Sequence, residues 1–522
     1  NTMKQTQKNL YSPSLILILL YHKCANYCFL NILVSNSQRL HEKIYSSIEG
    51  GAACFRRLNG THQTGCSSAD NGAVGVVHMI KDITDAHWLV QNSSAGPYMA
   101  VVSTAIFYDV IELLMEQPVN VAGILLYDNI TNSAPAFSQE SRCPNEYSSA
   151  AGSTCSSSVA GGIVWNDKGT GLLRRNIPFP IFYLPQSRTN YETIWAGRPL
   201  CSLQLHSFMF AAVDTEVCLR RSASSALLTP TKVCDPLGDH NVYYSLFPRT
   251  TVSTIFCLNY KIVFLLSPGA ASSVVGMVTL LTAATTLSQM IPTKDAQLYD
   301  QNVLWTLFNG EAFDYIGSQR VAYDISRGAW PAAAPLAVED IRLHVELGQI
   351  GGYLANKDSS WPLHAFVPYT EITEFLNMMS SNIQYNMSVA PEFTTNLPPS
   401  SLHSFRRILK NVTESGALPE VLLTDHKNTF TNMFYHSALD EYEKIYFMYR
   451  NITVDSNGTF LPTDELLASG TMNESDPQVK IARLSTVLAR TLFQRVAGKP
   501  FTGNISASAH LVSLLSLIVF LM

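Results

Sequence analysis

Residues 303–318 read VLWTLFNGEAFDYIGS, an apolar run followed by a loop that carries Glu311, Asp314, Tyr315 and Gly317. The run predicts a strand. The uncharged stretch before it opens on Pro268 and continues GAASSVVGMVTLLTAATTLSQM, which predicts a helix with Pro at its start and a long apolar face. Helix, then strand, then a loop bearing a carboxylate is the order by which α/β proteins bring chemistry to the carboxyl ends of their strands. The expected fold class is therefore α/β. By residue chemistry alone, Glu311 is either a general base or acceptor for a cationic group, or an exposed loop residue beside a packing Tyr315.

Outward from this stretch the alternation continues through a large lobe, 236–504. RVAYDISRG (320–328) and IRLHVELGQIGGYLAN (341–356) keep the pattern, and VAPEFTTNLPPSSLHSFRRIL (389–409) reads as a diproline loop followed by a helix. PEVLLTD (419–425) reads as a strand, and VKIARLSTVLARTLFQRVAG (479–498) as an amphipathic helix. Residues 43–235 differ: GAVGVVHMI (72–80), YMAVVSTAIF (98–107), VAGILLYD (121–128) and FPIFYLP (179–185) are short β-rich runs between turn residues, and predict one smaller β-rich lobe. Residues 262–293 hold no charge, but Pro268, Gly269 and many Ser and Thr mark a buried helix of a soluble lobe rather than a membrane span.

Composition narrows the class. The 522 residues are 47% hydrophobic and 14% charged with a net charge of -5, which supports a sizeable core and gives no electrostatic reason to expect nucleic acid as a partner. Asn-x-Ser/Thr occurs at Asn59, Asn92, Asn129, Asn386, Asn411, Asn451, Asn457, Asn473 and Asn504, a pattern that favours an N-glycosylated luminal or extracellular protein. Most of the ten cysteines are closely spaced, as suits local disulfides, and none has zinc-finger spacing. Residues 1–42 contain Lys4, Lys8 and SLILILL and are expected to be a targeting signal. Residues 505–522 form an uncharged apolar tail, marginal for a membrane helix and a poor match to a lipid-anchor signal.

GEAFDYIGS (310–318) resembles the strand-end segment of M28-type metal aminopeptidases, where two adjacent Glu act as general base and metal ligand. Glu311 matches the base, whereas Ala312 stands at the ligand position, and a methyl group cannot coordinate zinc. The family's upstream His-x-Asp has no counterpart in TTVSTIFCLNYKIVFLLSPG (250–269). FYHSALD (434–440) resembles the segment supplying a last ligand, which makes His436 a candidate, but one ligand does not make a site.

RRLNGTHQTGC (56–66), PYMAVV (97–102), RCPN (142–145), NIPFPIFYLP (176–185), CLRRS (218–222), VCDPL (233–237), PGAASS (268–273) and PPSSLHSFRR (398–407) resemble the nicastrin family, over about 43–504. The resemblance implies an aminopeptidase-like fold without peptidase activity or cofactor, in a subunit of the γ-secretase intramembrane aspartyl protease. Its implied partners are presenilin and the other subunits, N-glycans, and type I membrane substrates with short ectodomains, Notch and the amyloid precursor type among them. It implies a single-pass type I membrane protein of the endoplasmic reticulum, Golgi and plasma membrane, with a luminal ectodomain. Glu311 and Tyr315, with Asp314, Gly317 and Ser318 around them, are implicated in substrate recognition and assembly. Trp165 matches an apolar lid residue, though core packing accounts for it equally well. Disulfides Cys54–Cys66, Cys143–Cys155 and Cys218–Cys234 carry over by position; Cys201 lacks an evident partner, for which Cys257 is a candidate. Two departures stand out. Residues 251–266 replace what should be a core strand, and the apolar tail stands where the family continues to its membrane helix. The alternatives are a zinc aminopeptidase-like hydrolase and a secreted or anchored truncation that does not assemble.

Overall fold

The computed structural model describes, with short gaps, residues 72–127, 136–145, 163–184, 202–205, 215–223, 240–248, 254–262, 269–355, 361–383, 387–409 and 418–521, and shorter pieces at 20–21, 45–46, 52–66 and 155. The expected targeting signal otherwise lies outside them. The chain forms two compact units, one of Asn1–Pro135 with Leu172–Pro236 and one of Ala136–Gly171 with Leu237–Met522. The expected smaller lobe, 43–235, is therefore not one continuous piece. Its segment 136–171 packs with the larger unit because Ser138, Gln139 and Asn145 spend their hydrogen bonds on Tyr435, His436 and Glu311 there.

In the smaller unit, β1 (Ala52–Ala53), β2 (Ala73–Ile80), β3 (Tyr98–Ser103), β4 (Val121–Tyr127), β5 (Ile181–Leu184) and β6 (Ser202–Leu205) make a sheet ordered β6-β2-β3-β4-β5-β1. β2 to β5 run parallel, and the two edge strands antiparallel to their neighbours. Helices α1 (Ile83–Gln91) and α2 (Phe107–Glu116) form the crossovers that parallel strands require. Asp82 starts α1 by accepting from the backbone N–H groups of Thr84 (2.9 Å) and Asp85 (3.0 Å). This unit is thus itself α/β, not only β-rich.

The larger unit is built on β7 (Val242–Ser245), β8 (Thr254–Ile262), α3 (Val275–Met290, after a wider turn at Ala270–Val274), β9 (Gln301–Asn309), α4 (Ile316–Ser326), β10 (Ile341–Leu347), β11 (Trp361–Val367), α5 (Thr373–Asn382), β12 (Met387–Phe393), α6 (Leu402–Leu409), β13 (Glu420–Thr424), α7 (Pro477–Ala497) and α8 (Ala509–Leu521). The strand order is β7-β9-β8-β10-β13-β11-β12, with β9, β8, β10 and β13 parallel at the centre. Along β9, Val303 and Trp305 join the core under α3 and α7, while Leu304 and Phe308 join the one under α4 and α6. Both faces are buried, which explains an apolar run without alternation. Each such side chain contributes roughly 2 kcal/mol by burial, and a one-residue slip of register would exchange the side chains that fit each core.

Two expectations are corrected here, and the tail is placed. The stretch 251–266 does not remove a core strand. It supplies one, since Thr254–Ile262 pairs in parallel with β9 on one side and β10 on the other. VAPEF is not loop but most of β12, an edge strand in which Pro391 needs no outer hydrogen bond. The apolar tail is largely α8, whose Ala509 and Val512 are buried in the α3/α7 core and whose Ala509 N–H bonds Thr463 Oγ1 at 3.1 Å. The helix Ala270–Met290 is long and apolar enough to cross a membrane, yet 78% of its apolar window is buried within the unit, in keeping with a core helix.

Candidate functional site

Glu311, Glu346 and Asp425 lie at or just past the carboxyl ends of β9, β10 and β13, the crevice position of parallel α/β sheets. Gly310 (φ 76°) turns the chain out of β9, and Asp314 (φ 58°) and Tyr315 (φ 59°) are two consecutive non-glycine residues in the left-handed region just before α4. Such backbone costs about 1–3 kcal/mol per residue and persists only where the surroundings enforce it. Here Tyr315 is wholly buried, Gln319 Nε2 donates to Asp314 O, and Asn145 Nδ2 donates to Glu311 O at 3.0 Å.

The Glu311 carboxylate is fully buried, not an exposed loop group. It accepts from Ser318 N at 2.7 Å, Ser318 Oγ at 2.8 Å and Ser401 Oγ at 2.6 Å. Ser318 lies in the first turn of α4, so the carboxylate satisfies an otherwise unmatched helix N–H and complements the positive end of that helix. Glu346 does the same for α6, accepting from Ser400 Oγ (2.8 Å), Ser401 N (3.1 Å) and Leu402 N (3.2 Å). Ser401 therefore ties two buried carboxylates together, its backbone serving one and its hydroxyl the other. Burial, followed by the neighbouring Tyr435 phenol and the Glu346 and Glu311 carboxylates, holds the Tyr315 phenol far above its ordinary range.

Gly317 closes the turn. Asn241 Oδ1 accepts from Asn309 N (2.9 Å) while its Nδ2 donates to Gly317 O (3.0 Å), and a Cβ on Gly317 would sit 2.3 Å from Asn309 O. Backbone cannot yield as a side chain would, so Gly317→Ala is expected to destabilise the larger unit by about 3 kcal/mol, read as a lower urea midpoint with unchanged slope.

The structure places Glu311, Tyr315, Gly317 and Ser318 together, with Asp314 half-buried beside them. Trp165 lies in the larger unit, buried against Phe366 (ring centroids 6.3 Å) and His426 (6.4 Å), so its ring is packed in a core. His436 is buried with Nδ1 3.5 Å from Glu140 Oε1 and stacked on Tyr435, and Ala312 is buried as well. Among the described residues no three His, Cys, Asp or Glu side chains converge as metal ligands. The disulfides Cys54–Cys66 and Cys143–Cys155 are formed, and Cys218 is disulfide-bonded, with Cys234 and Cys201 outside the described residues. Cys257 lies on β8. Of the sequons, Asn92, Asn451, Asn473 and Asn504 are exposed, Asn59 ends a short strand, and Asn129, Asn386, Asn411 and Asn457 lie outside the described residues.

Glu346, Ser401, Asn145 and Ser404, whose Oγ accepts from Ser318 Oγ at 2.9 Å, are members of the site that sequence reasoning did not single out. Signals pointed to two of them: a lone Glu inside the apolar strand HVEL to Glu346, and paired Ser directly before a helix, the residue type that caps helix starts, to Ser401.

Residues 53–211 match the nicastrin small lobe and residues 261–493 the nicastrin large lobe. Nicastrin of Mus musculus is 31% identical over 519 positions, spanning 91% of this chain and 68% of the mouse protein. The chain belongs to the nicastrin family. A crystal structure of the γ-secretase component nicastrin superposes with TM-score 0.66 at 20% identity, covering 90% of this chain and 77% of that one. A zinc aminopeptidase from Bacillus subtilis aligns over 88% of each chain at 11% identity, with TM-score 0.39. The expected α/β class is the fold observed, and it is shared with the nicastrin crystal structure; in this nicastrin-family chain the strand-end Glu is an internal tie between two helix starts.

Proposed function

We propose that this chain acts as a non-catalytic subunit of γ-secretase, in contact with presenilin and the other subunits, and that it restricts access of type I membrane substrates by the bulk of its rigid units. Notch and amyloid precursor-type proteins are the substrate class. The observation that carries this is the state of Glu311. Its carboxylate is fully buried and held by three donors from Ser318 and Ser401, which favours a structural tie over a general base or a free acceptor for a substrate amino terminus. Ala312 at the position of a metal ligand supports the same reading. Family membership supports a luminal, membrane-associated glycoprotein, and Asn92, Asn451, Asn473 and Asn504 are exposed to carry N-glycans.

The test is capture of the tagged chain from mildly solubilised membranes, probed for presenilin with the glycan state read from the same gel. Co-recovery of presenilin with a maturely glycosylated chain is expected. A glycosylated chain recovered alone would contradict the subunit reading, and metal-dependent release of amino-terminal residues that is lost in Glu311→Ala would contradict the non-catalytic one.

A further inference from the structure

Five large apolar side chains, Tyr442, Tyr446, Met448, Tyr449 and Ile452, lie between 39% and 60% exposed within eleven residues of chain. Clustered exposure of this kind marks a surface that something covers. The stretch is held from beneath. Phe447 is buried, Gln478 Nε2 donates to Met448 O at 2.6 Å, and Arg450 Nε pairs with Asp476 Oδ2 at 3.2 Å, just before α7. The Tyr449 ring is set edge-on to Phe447 (5.1 Å) and lies 6.1 Å from Tyr442. Asn451, exposed, lies between Tyr449 and Ile452 in the chain, two residues after the first, and opens the sequon Asn-Ile-Thr. Arg450 turns inward to Asp476, while its neighbours Tyr449 and Asn451 both face solvent.

We propose that this surface is the seat of the first N-acetylglucosamine of an N-glycan on Asn451. Attachment joins the Asn451 amide nitrogen to the anomeric carbon of the sugar; the amide loses one proton and the lipid-linked donor leaves as its diphosphate. A β-linked pyranose presents three axial C–H groups on one face, and these match the electron-rich face of a Tyr ring. Met448 and Ile452 flank the apolar body of the sugar, and its hydroxyls stay in water. Because the sugar is covalently tethered beside the ring, no translational freedom is lost on stacking, so a weak contact suffices.

The proposal rests on the luminal glycoprotein reading above and has an internal control. Asn473 is also an exposed sequon, its N–H bonded to the same Asp476 (Oδ2, 3.0 Å), but its neighbours are a buried Met472 and an exposed Glu474.

The experiment uses the full chain from a secretory host, with occupancy read by mass spectrometry and peptide N-glycosidase applied to the native protein. Asn451 is expected to be occupied and to lose its glycan roughly tenfold more slowly than Asn473. Tyr449→Ala should bring the two rates together, and Tyr449→Phe should keep them apart. An unoccupied Asn451 beside glycans at Asn92 or Asn473 overturns the seat alone, as do equal rates that ignore Tyr449→Ala. A chain without any glycan overturns the luminal reading with it.

Discussion

Glu311→Ala is expected to lower the stability of the larger unit by about 4 kcal/mol. Hydrogen bonds to a charged group are worth ~1.5–3 kcal/mol each, and the substitution leaves Ser318 N buried at a helix start without its acceptor. Ser401 Oγ loses its partner as well, and the small cavity adds to the cost. Against a total of about 5–15 kcal/mol this is a large fraction, so less chain should reach the mature glycosylated form. Glu311→Gln keeps the shape and one acceptor oxygen and should lose about half as much. Urea unfolding of the three proteins checks the order. A Glu311→Ala chain that melts like the wild type while losing substrate processing would assign Glu311 to recognition and defeat the structural reading.

The second large effect is acid sensitivity. His344 is wholly buried on β10 with its ring edge-on to Phe405 (4.5 Å), and burial pushes its imidazole down to about 3. His403 is pushed down to about 4, first by burial and then by the nearby Arg406, against the bond its ring makes with Pro398 O. Both are held below their ordinary value of 6.5, so the stability they contribute is complete above about pH 6.5 and is lost as pH falls towards 4. Between pH 7 and 5 each costs about 2 kcal/mol. Glu420 acts oppositely: burial raises its carboxyl to about 7 despite Arg406, so the fold gains from its protonation as pH falls from about 7. That returns about 2 kcal/mol, leaving a net loss of about 2. His344→Leu removes one histidine's share. The loss between pH 7 and 5, measured by urea unfolding, should shrink by about 2 kcal/mol in this variant. Equal losses in both proteins would mean that His344 does not stay neutral in the native state.

Element identity in the larger unit was legible from the chain. VLWTLF, PEVLLTD and the long helices at 275–290 and 477–497 carry their own periodicity, and the residues that make them are local to each. The Gly at 317 and the Glu at 311 were legible too, because turn chemistry and a resembling segment both reside in a few consecutive residues. What could not be read was membership. Residues 251–266 read as the loss of a core strand because the strand they supply, Thr254–Ile262, earns its place only from β9 and β10 on either side. The apolar tail was ambiguous between a membrane-seeking and a core helix because hydropathy is the same whether a helix faces lipid or the α3/α7 core. Segment 136–171 looked like part of the lobe that precedes and follows it until Asn145 and Ser138 found acceptors nearly 170 and 300 residues away. Glu311 itself shows the division most clearly. Its position at a strand end follows from the order of residues 303–318, but whether that carboxylate is free for chemistry or consumed as a tie depends on Ser401, 90 residues on. Covalent neighbours determine local conformation, whereas solvent exclusion and hydrogen-bond partners are properties of the packed chain.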